Sequence, residues 1–435
     1  MFNMTRFDTK KMNLKLSIYG SLILIIGCKS TQEIRTVNSE SKQGMYVAET
    51  YEYPDPVDTQ DKNIMVQQKR KYTLDDITFD NQFDGARLND VIKKNDSTYR
   101  ILIMPENEPI NPSPWYAFRI ASDKQEKVYI ELDYGNYKHR YHPKFSKNRS
   151  DWYPLDNDLG AYNLDSTSYQ FPLEVNSEPV FVSGQELFTT NDLKEWMGSF
   201  KTSPLVKIRK YGSSRDGRDL MMMDVYKGSK NNKKVIVIMS RQHPPEVTGF
   251  FAMQAFVESI IATETSFFDN YRMIVYPMLN PDGVDMGHWR HNLGGVDLNR
   301  DWAQYNQQEI RLLANHIVMD VKENQSEVIL GLDFHSTYED VYYTQSKSAL
   351  KTPTTEWLRD EWFDRMEKRI ENYKVNESPS GLGRPVSKSW FYTQFKAEGV
   401  TYEIGDNTPR DRIVIIGSVA GTELINVLMG QVVNK

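Results

Sequence analysis

The sequence predicts a two-domain protein in which a smaller all-β sandwich precedes an α/β domain. The length of 435 residues exceeds that of one typical domain. Short β-rich runs recur over residues 69–184, and strand-like runs alternate with helix-like ones over residues 185–435. Aromatic residues make up 12% of the chain, so large apolar side chains are available for a core.

The first of these regions has the pattern of a β-sandwich. Its runs are rich in alternating, β-branched and aromatic residues, and proline and asparagine separate them, as in the segment 105–114. Such short, regularly interrupted strands are typical of two packed sheets. The runs that predict strands lie at 77–80, 99–104, 115–121, 127–133 and 180–182.

The second region predicts an α/β domain, because its strand-like and helix-like runs alternate along the chain. We expect a helix over 187–200 to open this domain. The predicted strands are 220–226, 235–239, 273–277, 327–334 and 400–403. The further predicted helices are 247–262, 307–323, 354–373 and 419–432.

Charge and cysteine content exclude several kinds of partner and site. The chain has 53 Lys and Arg against 59 Asp and Glu, a net charge of −6, which argues against nucleic acid as a partner. Cys28 is the only cysteine, so the chain has neither an intrachain disulfide nor a thiolate metal site. Any metal must therefore bind to His, Asp or Glu.

The amino terminus resembles a bacterial lipoprotein signal. Lysines precede an apolar run of about a dozen residues, a length that suits a signal-peptide core and not a membrane span. The run ends directly before Cys28, where lipidation needs a cysteine. We therefore predict a signal peptide over 1–28, a flexible polar tether over 29–68 and a lipid-anchored protein of the bacterial cell envelope, on the periplasmic or outer-membrane side. The alternative is a short buried strand with an ordinary thiol.

Two strand ends in the second domain carry side chains suited to a metal ion. His243 and Glu246 follow the strand at 235–239, and His335 follows the strand at 327–334. Side chains that bind ligands gather at the carboxyl ends of strands in α/β sheets. Each motif alone is weak, because a strand-end histidine is more often a core residue. Together they form the His₂Glu set of catalytic zinc, which leaves one position open for water.

A third strand ends in Glu403 within an apolar run. A buried glutamate is costly without a partner or a role. Zinc lowers the pKa of bound water to about 7, and a nearby glutamate can take the proton and pass it to a leaving amine. The alternative is a strand-end glutamate that points into solvent.

Taken together, the motifs resemble the zinc metallocarboxypeptidase family of the carboxypeptidase A and B type. The resemblance covers residues 187–435 and implies a mixed-sheet fold. It rests on five motifs in the family's order, which are His243-Pro-Pro-Glu246, Asn280-Pro-Asp-Gly283, Asp297-Leu-Asn-Arg300, His335-Ser336 and Glu403.

The resemblance assigns a role to each site residue. It implies one zinc ion per chain, with His243, Glu246 and His335 as ligands and Glu403 as general base and acid. Arg290 is implied to polarise the scissile carbonyl, and Asn299 and Arg300 to hold the terminal carboxylate. Arginine forks bind carboxylates bidentately and asparagine adds a directed donor, so these residue types suit that chemistry.

The β-rich first region adds a likeness to the cytosolic carboxypeptidase subfamily, whose members trim acidic carboxy-terminal residues. The segment 115–120, the stretch from there to Trp152 and the segment 277–284 carry this likeness. Pro245 stands where the digestive enzymes have a substrate-binding arginine, so that contact is absent. The family's substrate-capping tyrosine has no clear match, since ungapped spacing gives Gly381.

Family spacing also predicts a specificity residue. Trp390 lies thirteen residues before Glu403, and the specificity position two residues earlier is Lys388. A desolvated ammonium at a pocket base favours an acidic terminal side chain and repels Lys or Arg. The alternative is a gap in the loop 378–389, which would make Lys388 a surface lysine.

The predicted function is zinc-dependent removal of carboxy-terminal residues from peptides or proteins, with a preference for acidic termini. The predicted partners are peptide carboxy termini and, through the lipid anchor, a membrane. One alternative is a carboxypeptidase of peptidoglycan peptides. Another, from a different class, is a surface lipoprotein that binds ligands without turnover.

Overall fold

The structure is a computed structural model that describes residues 33–35, 48–263, 266–350 and 355–433. The predicted signal peptide, Cys28 and most of the first half of the predicted tether lie outside the described residues.

The amino-terminal region is all β and forms two packed sheets, as predicted. Its strands are β1 (Glu33–Arg35), β2 (Ile64–Val66), β3 (Lys71–Leu74), β4 (Ile77–Asp80), β5 (Asp90–Lys93), β6 (Thr98–Leu102), β7 (Ala117–Ser122), β8 (Glu126–Asp133), β9 (Lys144–Ser146), β10 (Tyr153–Pro154), β11 (Ala161–Tyr162), β12 (Ser168–Val175) and β13 (Val180–Ser183). The two packed sheets have the orders β10-β9-β13-β7-β4-β3 and β11-β12-β8-β6-β5, and β1 and β2 form a separate two-stranded sheet. Both sheets contribute to one core, with Phe79 and Phe118 from the first and Ile130 from the second.

The second region contains eight strands and eight helices among the described residues. The strands are β14 (Val206–Ser213), β15 (Asp219–Val225), β16 (Lys234–Ser240), β17 (Tyr271–Tyr276), β18 (Glu327–Thr337), β19 (Val341–Gln345), β20 (Glu377–Ser380) and β21 (Glu398–Gly405). The helices are α1 (Thr190–Gly198), α2 (Val247–Ala262), α3 (Phe267–Asn270), α4 (Pro281–Met286), α5 (Gln308–Glu323), α6 (Glu356–Arg369), α7 (Ser387–Phe395) and α8 (Arg410–Val433).

These eight strands form one mixed sheet in the order β14-β15-β17-β16-β18-β21-β19-β20. The four central strands, β17, β16, β18 and β21, are parallel, while β15 pairs antiparallel with β17 and β19 pairs antiparallel with β21. The central strands are almost wholly buried, as expected for strands covered on both faces. The predicted α/β fold with a mixed sheet is confirmed, and the carboxyl ends of β16, β18 and β21 meet at one edge.

Helix α8 begins nine residues before the predicted helix, at Arg410. Within the described residues its Arg410–Gly430 segment is the one helix long and apolar enough to cross a membrane by length and composition. It packs closely on α2, because a Cβ added at Gly417 would lie 2.5 Å from the carbonyl oxygen of Ala252. Its apolar face is therefore also explained by packing within the protein.

Residues 48–62 differ from the predicted tether, because they pack against the α/β region. The Thr59 hydroxyl donates to Asp301 at 2.5 Å, and Asp61 forms an ion pair with Arg215. The backbone N–H of Asp55 donates to the carbonyl of Gly383 at 2.9 Å. The polar residues that suggested a solvated tether instead bond to polar groups of the second region.

Candidate active site

Three predicted ligands form one cluster at the carboxyl edge of the central strands. One ligand atom from each of His243, Glu246 and His335 lies within 4.8 Å of the others, and all three side chains are buried. The two oxygens of Glu246 lie 2.7 Å from Nδ1 of His243 and 2.6 Å from Nδ1 of His335. These three side chains could hold a metal ion, and two imidazoles with one carboxylate suit zinc.

The backbone explains why the three residues meet. His243 and Glu246 occupy the turn between β16 and α2, and the guanidinium of Arg241 stabilises this turn through the carbonyl of Pro244, at 2.7 Å. His335 lies near the end of β18, which is parallel to β16. Helix α2 crosses β18 closely, since a Cβ added at Gly249 would lie 2.1 Å from the carbonyl oxygen of His335.

A carboxylate behind each histidine fixes the orientation of its ring. Nε2 of His243 lies 2.8 Å from Asp297, and Nε2 of His335 lies 2.8 Å from Asp333. With a proton on each Nε2 donated to the carboxylate, the Nδ1 lone pairs would be available to a metal ion at the cluster centre. This outer layer of carboxylates is the usual companion of histidines that bind zinc, so the donor set fits the ion.

Glu403 lies beside this cluster on β21. Its backbone is in register with that of His335 on β18, and its side chain lines the same cavity. Among the described residues its Oε2 atom has no hydrogen-bond partner. Burial raises the pKa of Glu403 to about 7, although His335 acts to lower it. A carboxylate with such a pKa can both take up and give away a proton near neutrality.

The predicted substrate-binding residues approach the cluster from the loops after α4. Nε of Arg290 lies 2.8 Å from Asp297, which also bonds to His243. Oδ1 of Asn299 accepts the backbone N–H of Ser387 at 2.9 Å, and this bond fixes the orientation of the amide. The Arg300 guanidinium donates to the carbonyl of Asn299 at 2.7 Å and remains partly exposed.

One cavity of about 740 Å³ contains every predicted site residue except Cys28, which lies outside the described residues. The residues that line it include His243, Glu246, Arg290, Asn299, Arg300, His335, Lys388 and Glu403. The cavity is therefore large enough for a peptide end and has metal-ligating, acid–base and cationic groups on its wall.

Lys388 is buried in this wall and is not a surface lysine. Only 4% of the residue is exposed, and its ammonium donates at 2.6 Å to both the carbonyl of Thr344 and the hydroxyl of Ser380. Burial lowers the pKa of Lys388 to about 8. An ammonium has three N–H donors, so one remains for a further acceptor.

Several groups in and around the cavity were not predicted from the sequence. Asp333 could have been found, because it lies two residues before His335 and alternate residues of a strand share a face. Arg140, Tyr338, Tyr343 and Arg384 also line the cavity, but they stand outside every motif considered. Gly381, which spacing gave for the capping tyrosine, lies on the cavity wall as well.

Comparison with known proteins identifies the same family. A profile described as zinc carboxypeptidase matches residues 193–409. Mouse cytosolic carboxypeptidase 3 is 22% identical over 71% of this chain and 35% of its own length. Human cytosolic carboxypeptidase 2 is 22% identical over 71% of this chain and 39% of its own length. The chain thus spans little more than a third of the length of these curated relatives.

Solved structures share the fold. A putative carboxypeptidase A from Shewanella denitrificans has a TM-score of 0.69 and 18% identity, and the match covers 81% of this chain and 99% of that one. A metallo-carboxypeptidase from Burkholderia cenocepacia has a TM-score of 0.67 and 16% identity, covering 82% and 100% of the two chains. These matches extend beyond the residues of the profile and so include part of the β region.

The curated relatives contradict the predicted location. The amino-terminal pattern predicted a lipid-anchored protein of the bacterial envelope, whereas the matching relatives are eukaryotic proteins named as cytosolic. The prediction of an envelope lipoprotein is therefore wrong. It rested on one short apolar run before Cys28, a local pattern that does not by itself require an anchor.

The family profile, the curated relatives, the fold and the cavity residues all agree with the motifs found in the sequence. Through its domain at residues 193–409, the chain belongs to the zinc carboxypeptidase family.

Proposed function

We propose that this chain is a zinc metallocarboxypeptidase that hydrolyses the last peptide bond of peptides or proteins and prefers acidic terminal residues. One observation carries the proposal: a candidate metal cluster, an acid–base carboxylate and several cations line a single cavity. Hydrolysis at a carboxy terminus needs all three, because water must be activated, the oxyanion stabilised and the terminal carboxylate bound.

His243, Glu246 and His335 would hold the zinc ion, which when bound supplies a Lewis acid for the scissile carbonyl and the attacking water. Glu403 takes a proton from the attacking water and delivers it to the leaving amine nitrogen. The guanidinium of Arg290 faces the same cavity and stabilises the negative charge that develops on the carbonyl oxygen.

Asn299 and Arg300 bind the terminal carboxylate of the substrate. Their side chains line the cavity next to each other, and Arg300 keeps part of its guanidinium open to solvent. A guanidinium binds a carboxylate through two parallel hydrogen bonds, and the Asn299 amide adds a directed donor. This pair restricts cleavage to the chain end, because an internal peptide bond has no carboxylate to offer.

Lys388 gives the preference for acidic termini. Its ammonium is buried in the cavity wall and has one N–H beyond those used by Thr344 and Ser380. At low dielectric, an ammonium binds a side-chain carboxylate strongly and repels a second cation. A terminal Glu or Asp is therefore favoured over Lys or Arg.

Mass spectrometry of synthetic peptides tests the activity. The purified chain with zinc is incubated with peptides that differ only in the last residue, and Glu403→Gln serves as the matched variant. Release of one terminal residue by the wild type, reduced by about 10²-fold or more in Glu403→Gln, is expected. Zinc bound without release from any peptide would contradict the proposal and favour a binding protein.

Charge reversal tests the specificity residue separately. Lys388→Glu should reverse the ranking of Glu-terminated and Lys-terminated peptides in kcat/KM. Lys194→Glu makes the same change at an exposed position of α1 and should leave the ranking unchanged. An unchanged ranking in Lys388→Glu would remove Lys388 from the specificity pocket without affecting the proposed chemistry.

A further inference from the structure

The loop that carries Arg290 is anchored in the β region. Trp289, the preceding residue, is fully buried and belongs to the core of the β-sandwich. Its ring meets those of Tyr137 at a centroid distance of 5.3 Å and Tyr134 at 6.4 Å, both in edge-on contacts. A side chain of the second region therefore fills part of the first region's core, and the position of Arg290 depends on both.

Glu106 of the β region holds the backbone of this loop. Its carboxylate accepts three consecutive backbone N–H groups, from Trp289 at 2.8 Å, Arg290 at 2.9 Å and His291 at 2.6 Å. The residue is completely buried. Consecutive N–H groups that converge on one anion form a concave site that fixes the direction of the chain.

This carboxylate is ionised. Burial raises the pKa of Glu106, but His288, His291 and Arg87 outweigh burial and lower the pKa to about 2. The three bonds are therefore charge-assisted, and such bonds are about twice as strong as neutral ones. Glu106 also balances the charge of the buried Arg87 in its own region, and a buried anion is expensive unless such partners and hydrogen bonds surround it.

The next residue extends the same clamp. The amide of Asn107 bonds to Nδ1 of His291 at 2.7 Å and donates to the carbonyl of Gly295 at 2.9 Å. Gly295 has a φ of +69°, and a Cβ there would lie 2.6 Å from Nδ2 of Asn107. Asn107 therefore holds the segment between Arg290 and Asp297 at two points, His291 and Gly295.

Asp297 fixes the other end of the Arg290 side chain. It bonds to Nε of Arg290 and to Nε2 of His243, each at 2.8 Å. The guanidinium is therefore located by two contacts, its backbone on Glu106 and its Nε on a carboxylate that also orients a candidate metal ligand. Removal of the first contact leaves the loop held by the Trp289 ring and by Asn107, but without the bonds that fix the backbone of Arg290 itself.

We propose that Glu106 is a positioning residue for Arg290, so that a side chain of the β-sandwich forms part of the machinery of the carboxypeptidase domain. The inference rests on the proposed function, since it assumes that Arg290 stabilises the oxyanion. The β region and the catalytic cleft belong to one compact unit. Displacement of a catalytic group by about 1 Å can lower the rate by about 10²-fold.

A double-mutant cycle in zinc-loaded protein tests the proposal. Glu106→Gln removes the charge and turns an amide N–H toward the loop, so we expect kcat to fall by about 10²-fold with KM nearly unchanged. In the Arg290→Ala background, Glu106→Gln should cause no further loss, because there is no guanidinium left to position. Glu106→Asp keeps the charge and should recover part of kcat; it replaces Gln in the cycle if Glu106→Gln does not fold.

Glu131→Gln is the matched control. Glu131 is a buried carboxylate of β8 that bonds to Lys94 and Arg100 within the β region and does not line the cavity. This variant should lose some stability and keep kcat. A general effect of weakening the β region would instead lower kcat in both variants.

Hydrogen exchange gives a readout that does not depend on activity. Glu106→Gln should increase deuterium uptake in the peptide spanning 287–296, and Glu131→Gln should not. Equal losses from Glu106→Gln with and without Arg290, or unchanged uptake, would overturn the inference while wild-type activity upholds the proposed function. A wild type that releases no residue from any peptide would overturn both.

Discussion

His335 and Glu403 are register partners on the neighbouring parallel strands β18 and β21. The register places a candidate metal ligand directly beside the candidate acid–base residue, on two of the most deeply buried strands of the sheet. Because a slip by one residue would turn either side chain to the opposite face, the pairing of these strands defines the site.

The contact of α2 with β18 predicts the effect of a single methyl group. In Gly249→Ala the new Cβ would lie 2.1 Å from the carbonyl oxygen of His335, so helix or strand must shift. We expect a loss of at least about 1–3 kcal/mol in the free energy of unfolding and a weaker zinc affinity. Gly430→Ala, where a Cβ meets no atom of the described residues within 4 Å, is the control for thermal melting and zinc titration. Equal stability of the two variants would contradict the close approach of α2 to His335.

The carboxylate behind His243 predicts a change in metal affinity. Asp297→Asn removes the charge that orients His243 and pairs with Arg290, and zinc affinity should fall by about 10–100-fold. Asp301→Asn changes a buried aspartate nearby that bonds to Thr59 and the backbone of Gln307, and it should bind zinc like the wild type. Competition with a fluorescent zinc chelator measures both. The same affinity in both variants would exclude an orienting role for Asp297.

The pKa of Lys388 predicts how specificity depends on pH. Burial lowers this pKa to about 8, so the ammonium is charged below that pH and neutral above it. The preference for Glu-terminated over Ala-terminated peptides, measured as a ratio of kcat/KM values, should therefore decline as the pH rises through about 8. Lys388→Met should show a small ratio that does not change over this range. A ratio that stays high well above pH 8 would show that another cation recognises the substrate.

The burial of Trp289 in the β-sandwich core predicts that this side chain of the second region contributes to the stability of the first. Trp289→Ala removes a fully buried side chain from the β-sandwich core and should lower the free energy of unfolding by about 3–5 kcal/mol. Trp357→Ala truncates a tryptophan that is 42% exposed on α6 and should cost far less. Denaturant unfolding followed by circular dichroism measures both variants, and similar midpoints would contradict the burial of Trp289.

The sequence predicted the fold best where the signal was local. The buried strands β16, β18 and β21 are continuous apolar runs that end in polar residues, and their ends carry the site. The edge strands β14 and β20 were missed, because exposed edges lack an apolar run and their pairing depends on distant partners. Helix α8 was predicted to begin at residue 419 but begins at Arg410, and the first turns that were missed are partly exposed.

Long-range partners explain the remaining differences. The segment around Glu106 has the prolines and asparagines of a turn, and nothing local indicates that its carboxylate binds the loop at 289–291. Residues 48–62 are polar and were predicted to be a tether, yet Thr59 and Asp61 bond to side chains more than 150 positions away. Polarity predicts exposure only when no distant partner satisfies the group.

Zinc dependence of peptide hydrolysis is the decisive measurement for a zinc carboxypeptidase. The chain is stripped of metal with a chelator, titrated with zinc and assayed for release of the last residue from a Glu-terminated peptide. We expect no release without metal, full recovery at one zinc ion per chain, and neither recovery nor tight zinc binding in His335→Gln. Release that persists without zinc, or full recovery in His335→Gln, would contradict this expectation.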